Sequence, residues 1–229
     1  MSDTALVLLA RYPEAGQGKT RLAQTLGKVE TMRIYTSFLR DLATRFVDSP
    51  YDLHWAYTPQ YCDFLTFAAT LLPAPRAVSW QAFAQQGPDL GARLQYAFRT
   101  MAAHQYKRTI LIGSDTPHIS RAVLVQAKQA LDSADVVLGP AEDGGYYLIA
   151  MQRPYDVFSA IPMSTELVLE MTIAKARQQH LKVTLLETLF DIDTQTDLLR
   201  LQQMLQENRE LAPHTAACLD ALTERGLLV

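Results

Sequence analysis

Four stretches of the chain set chemistry-bearing side chains directly after apolar runs. The first, ARYPEAGQGKTRLA, carries Arg11, Lys19 and Arg21 beside Gly16 and Gly18, with Thr20 near the start of a following helix. Its GQGKT segment suggests a GxxxxGK[ST] phosphate loop, but the position of the first glycine is Pro13. Proline has no backbone N–H and cannot take positive φ, so the usual phosphate-cradling nest is broken. What survives is a Gly-rich strand-to-helix turn whose three cations and helix N-terminus suit a polyphosphate. A solvated surface loop with routine Lys and Arg has the same composition.

The second stretch is TILIGSDTPHIS, where an apolar run leads into Ser114 and Asp115 before Pro117 turns the chain. Aspartate is a hard oxygen donor suited to Mg²⁺ or Mn²⁺ shared with phosphates. It also serves often as a helix cap or in an Asx-turn. Ser120 is the better cap for the next helix, which leaves Asp115 for the ligand. His118 has no partner His or Cys at ligand spacing. The third stretch, VVLGPAEDGGYYLIA, brings out Glu142 and Asp143, then Gly144, Gly145, Tyr146 and Tyr147. Asp-Gly is a hairpin-turn signal, while adjacent glycines also let a backbone approach a ligand closely. The fourth is LFDIDTQTDLLR. Asp191 and Asp193 straddle one residue and point the same way in an extended segment. Like carboxylates this close repel unless a cation or a cationic side chain lies between them. A divalent ion shared with Asp115 accounts for the pair economically; otherwise one of them caps the next helix.

Alternating elements must position these loops. Thr4–Ala10 is an unbroken apolar run, as expected of a strand buried on both faces. Residues 29–47 follow helical spacing through Met32, Tyr35, Phe38, Leu39, Leu42 and Phe46. The pattern predicts further strands at 53–57, 77–80, 109–112, 135–138, 146–150 and 183–186. It predicts helices over about 60–72, 90–103, 120–132, 165–180 and 194–206, the last opened by a Thr194/Asp197 capping box. Such alternation implies a three-layer α/β/α domain with a mostly parallel sheet, spanning residues 1–229 without a linker or repeat. Ligands in these folds bind beyond the carboxyl ends of the strands, where the four loops lie.

Composition narrows the classes. Twenty-one Lys plus Arg against 24 Asp plus Glu give a net charge of −3, which argues against a nucleic-acid binder. Two cysteines, Cys62 and Cys218, form no zinc or disulfide pattern. The first apolar run is too short for a signal peptide or a membrane span, so a soluble cytoplasmic protein is expected.

The ordered motifs R-x-P-x-x-G-x-x-KTRLA, Q-x-G-x-DLG-x-R (Gln85 to Arg93), GSD-x-P, LGPAEDGGYYLI, IP-x-STE and DIDT-x-x-DL together resemble a bacterial family of glycosyltransferase-like proteins. That family has the GT-A, nucleotide-diphospho-sugar transferase fold, and the resemblance runs from about Leu6 to Leu199. More distantly the chain is similar to molybdenum-cofactor and 2-phospholactate guanylyltransferases. The resemblance implies that Asp115 and Asp191 or Asp193 hold Mg²⁺ or Mn²⁺. It further implies that Arg11, Gly18, Lys19, Thr20, Arg21 and Ser114 contact donor phosphates, and that Asp89, Gly91 and Arg93 lie near the nucleotide. Gly144, Gly145, Tyr146 and Thr165 fall on the acceptor side, with Asp143 or Glu142 as the candidate base. The implied function is metal-dependent transfer from a nucleotide-sugar. The alternatives are nucleotidyl transfer from a nucleoside triphosphate and a non-catalytic nucleotide-binding module. The first loop lacks the AGG-x-S-x-RMG segment of nucleotidyltransferases, which counts against cytidylyl or guanylyl transfer. Met163 stands in place of the expected Trp before STE, and Gln195-Thr196 in place of Pro-Glu.

Overall fold

A computed structural model describes residues 2–72, 81–163 and 165–228. The central strand β1 (Thr4–Arg11) pairs in parallel with β2 (Asp52–Thr58) on one side. On the other side it pairs in parallel with β4 (Arg108–Ile112), which follows β3 (Gln81–Ala84) in the chain. Ala5 lies opposite both Asp52 and Thr109. Neighbours on both edges and helices on both faces explain why the TALVLLA run has no polar face.

Two further strands, β5 (Val136–Pro140) and β6 (Tyr146–Met151), form an antiparallel hairpin. β6 is inserted antiparallel beside β4, and β7 (Val183–Leu185) closes the far edge parallel to β5. The described residues thus form a seven-stranded, mostly parallel sheet of order β3-β2-β1-β4-β6-β5-β7. The expected strand at 77–80 lies outside the described residues.

Helices cover both faces. Leu6, Leu8 and Ala10 of β1 pack toward α2 (Lys28–Phe46), α5 (Arg121–Ala130), α7 (Gln195–Glu207) and α8 (Pro213–Glu224). Ala5 and Val7 pack toward α4 (Leu90–Ala103) and α6 (Val168–Gln178). The period-two alternation along one strand therefore divides the core into two layers.

Two expected helices are shorter than their sequence windows. The 60–72 stretch is helical over α3 (Phe64–Ala69), which Asp63 caps by accepting from Thr66 N at 3.2 Å. In the 165–180 window, residues 165–167 instead form a turn against the β5–β6 loop, where Leu169 N donates to Gly144 O at 2.9 Å. Gly27, at φ +80°, separates the short helix α1 (Thr20–Leu26) from α2. Among the described residues no helix is long and apolar enough to cross a membrane.

Candidate active site

The four loops meet at the carboxyl ends of β1 and β4, as expected of a parallel sheet. Tyr35, one member of an apolar helical stripe by its spacing, is the tie between the two strands. Its hydroxyl accepts from Arg11 N at 2.9 Å and lies 2.9 Å from Ser114 Oγ. Burial and the nearby Asp115 charge push its pKa up to about 12, so it stays a neutral hydrogen-bonding post. Arg45, also on α2, pins the loop after β4 by donating to Pro117 O at 2.6 Å and Ile119 O at 2.7 Å. Helix periodicity explains why α2 forms but does not distinguish these two from their neighbours.

Lys19 is the most constrained of the expected residues. Gly18 at φ +74° and Lys19 at φ +43° are consecutive left-handed residues, and they turn the lysine stem inward at the start of α1. The Lys19 side chain is 7% exposed, and its ammonium lies 2.9 Å from Asp115 Oδ1 and 3.1 Å from Asp193 Oδ1. It also donates to Ile192 O at 2.6 Å. An ammonium has three protons, and these three acceptors use them. Burial would lower its pKa, but the Asp115 and Asp193 carboxylates outweigh that and hold it above the ordinary lysine value. In this state the ammonium faces two carboxylates, while the residue also lines the smaller cavity.

Asp191 and Asp193 take different partners. Asp193 pairs with Lys19, while Asp191 accepts from Thr116 Oγ1. Burial, with the Asp115 and Asp143 charges adding to it, raises the Asp191 pKa to about 6. The capping role of this segment belongs to neither aspartate: Thr194 Oγ1 accepts from Asp197 N, and Asp197 Oδ2 accepts from Thr194 N at 2.7 Å.

Two adjoining cavities share Asp115 and Leu90. The smaller, about 210 Å³, is bounded by Arg11, Gly18, Lys19, Lys28, Tyr35, Gln85 and Ser114. The larger, about 1180 Å³, holds Arg21, Asp143, Gly144, Gly145, Tyr146, Thr165, Asp191 and Asp193. Arg21 thus sits with the acceptor-side residues rather than with Arg11 and Lys19. Thr20 is exposed at the first turn of α1 and borders neither cavity.

The DLG-x-R residues build the wall rather than face it. Asp89 caps α4 through Ala92 N at 2.8 Å, and Arg93 Nε donates to Gly87 O at 3.1 Å. A Cβ on the buried Gly91 would come within 2.9 Å of Met163 Cε. Leu90 is the member of this segment that reaches both cavities.

Asp143-Gly144-Gly145 is both a hairpin loop and a cavity wall. Asp143 Oδ1 accepts from Gly145 N at 2.9 Å, an Asx-type contact that fixes an otherwise exposed carboxylate. Gly144 sits at φ +87°, and a Cβ there would collide with Glu166 O. Glu142 also lines the larger cavity, where Arg200 grips it bidentately at 2.6 and 2.8 Å and lowers its pKa. Thr165 Oγ1 donates to Pro162 O at 3.0 Å. His118 is buried away from both cavities with its ring 4.6 Å from Phe190.

The donor chemistry around the larger cavity fits a hard divalent cation. Asp115, Asp143, Asp191 and Asp193 all contribute carboxylates to the cavity lining beside the Arg21 guanidinium, and the buried Lys19 ammonium pairs with two of them. Among the described residues no three such groups are drawn together as a ready ligand set; the Lys19 ammonium stands between two of them.

Comparison with known proteins agrees with this layout. A protein of Desulfovibrio desulfuricans G20, assigned provisionally as a nucleotide-diphospho-sugar transferase, superposes with a TM-score of 0.90 at 32% identity, covering 100% of this chain and 97% of that one. A cytidylyltransferase from Leptospira borgpetersenii shares the fold at 13% identity with a TM-score of 0.56, over 100% of this chain and 97% of its own. The CMP-2-keto-3-deoxy-manno-octonic acid synthetase solved with CTP shares it at 16% identity and 0.51, over 90% of this chain and 99% of its own. No curated protein matches the sequence. The fold is therefore that of the nucleotide-diphospho-sugar transferases. The model of a family described as uncharacterized proteins conserved in bacteria, DUF2064, matches residues 47–165, a little over half of the chain, and to that family the chain belongs.

Proposed function

We propose that the protein is a metal-dependent transferase that takes its group from a nucleotide-sugar. The observation that carries this reading is the pair of adjoining cavities sharing Asp115: one walled by the Arg11–Lys19 loop, the other by aspartates. A divalent ion held by Asp115 with Asp191 or Asp193 would neutralise the nucleoside diphosphate leaving group. Arg11 and Lys28 border the smaller cavity and would orient the donor phosphates. Asp143, held by Gly145 N and lining the larger cavity, would take the proton of an attacking acceptor hydroxyl. Glu142 is already paired with Arg200, which leaves that role to Asp143.

The test needs no knowledge of the acceptor. A nucleoside diphosphate with Mg²⁺ or Mn²⁺ should raise the melting temperature. A ligand at 100 times its Kd adds about 2.7 kcal/mol, and at about 2–4 °C per kcal/mol the shift is roughly 5–10 °C. Without metal the shift should be small, and Asp115→Asn should erase the metal-dependent part. If no nucleoside diphosphate, triphosphate or nucleotide-sugar shifts the wild type under any metal condition, the reading fails. Binding followed by pyrophosphate release from a triphosphate, with none of the diphosphate from nucleotide-sugars, would convert it to nucleotidyl transfer.

A further inference from the structure

The position of Lys19 has a consequence beyond the choice of donor. Its ammonium is buried, fully used by Asp115, Asp193 and Ile192 O, and held there by two successive left-handed residues. It ties three segments together: the loop after β1, the loop after β4 and the segment before α7. It also borders the smaller cavity. The ammonium uses Oδ1 of Asp115 and Oδ1 of Asp193, so a divalent ion bound by the same two carboxylates would stand close beside it. Two cations within one carboxylate pair repel each other, so the ion and the ammonium compete for it.

We propose that Lys19 is a built-in placeholder cation, which closes the carboxylate pair until a metal ion displaces it and then serves the donor phosphates in the cavity it borders. The proposal rests on the metal-dependent reading above. It makes metal and nucleotide binding cooperative through one side chain. A metal ion entering alone must leave an ammonium without partners, whereas a bound diphosphate gives that ammonium a new anion. Coupling of this kind is reciprocal: the factor by which the nucleotide tightens the metal equals the factor by which the metal tightens the nucleotide. Removal of Lys19 thus has opposite effects on the two ligands.

The experiment measures Mn²⁺ affinity by the free-ion EPR signal and nucleoside diphosphate affinity by calorimetry, in the wild type and in Lys19→Met, which keeps the apolar stem and removes the charge. The wild type should bind Mn²⁺ weakly alone and at least about tenfold tighter with the diphosphate present. Lys19→Met should bind Mn²⁺ alone at least about tenfold tighter than the wild type, bind the diphosphate more weakly, and lose most of the coupling. Unchanged or weaker Mn²⁺ binding in Lys19→Met, with the nucleotide still bound, overturns the placeholder and leaves the transferase reading standing. Failure of the wild type to bind nucleotide at all removes both.

A second measurement on the wild type covers the case in which Lys19→Met does not fold. The Nζ–H signal of a buried, paired lysine is protected from solvent exchange. Saturating Mg²⁺ and nucleoside diphosphate should shift the Lys19 signal away from its starting position. A signal unmoved at saturation overturns the proposal.

Discussion

Asp191 and His118 show how single groups in this chain respond to pH. His118 is buried against Phe190, and burial, with Arg45 and Arg200 adding to it, lowers its pKa from 6.5 to about 4. His54 is lowered to about 4 in the same way, by burial and by His104. Below pH 6.5 the unfolded chain takes protons on both rings that the folded state refuses, so stability falls as pH drops from 6.5 toward 4. Asp191, raised to about 6, works in the opposite sense: between pH 6 and 3.8 the folded state holds a proton that the unfolded chain has lost. Two histidines against one aspartate leave a net loss on acidification, about 1.4 kcal/mol per pH unit for each uncompensated group. Melting curves from pH 7 to 4 should show a shallower loss in His118→Phe and a steeper one in Asp191→Asn; parallel curves would refute the assignment. At the reaction, Asp115→Asn should cost about 10²–10³ in rate while keeping the fold, since it removes charge with little change in shape. Residue types and spacing are enough to single out the aspartates. The use made of Lys19 is not legible in the same way, because its direction depends on two left-handed backbone angles that glycine permits but does not announce.

Individual elements depend on contacts that periodicity does not record. The capping box at α7 is legible from Thr194 and Asp197 alone, and it is present. Thr194→Ala should cost about 1 kcal/mol in urea unfolding. It should also loosen Asp193, whose backbone N–H is held at 3.1 Å by the same Asp197 carboxylate. A variant as stable as the wild type would mean that water replaces the cap without cost. The shortened α6 has a different origin. The turn at 165–167 packs onto Gly144, so Gly144→Ala would drive its methyl into Glu166 O at a φ of +87°. That substitution should destabilise by about 1–3 kcal/mol and open the larger cavity wall; an unchanged melting temperature would contradict the close approach. The pattern of the sequence predicts no helix at α8, whose start is capped from a distance: Asp41 on α2 accepts from His214 N and Thr215 N, each at 2.8 Å. A cap supplied by a residue so far away in the chain leaves no local signature.

For the molecule as a whole, the alternation of apolar runs and helical stripes is enough to specify a parallel α/β sheet and to put the loops at its carboxyl edge. It does not specify the antiparallel insertion of β6, because an apolar strand buried on both faces reads alike in either direction. Asp143-Gly144 gives the one hint, as a hairpin signal. The sheet order also sets when the site can exist. Lys19 and Asp193 lie 174 positions apart, and the strands between them must be laid down before the two can meet. During synthesis, at about 5–20 residues per second, the glycine-rich loop is therefore outside the ribosome for roughly ten seconds or more before its carboxylate partner. Throughout that interval the nascent chain displays an uncommitted lysine, and any anion it meets then is not one selected by the finished fold.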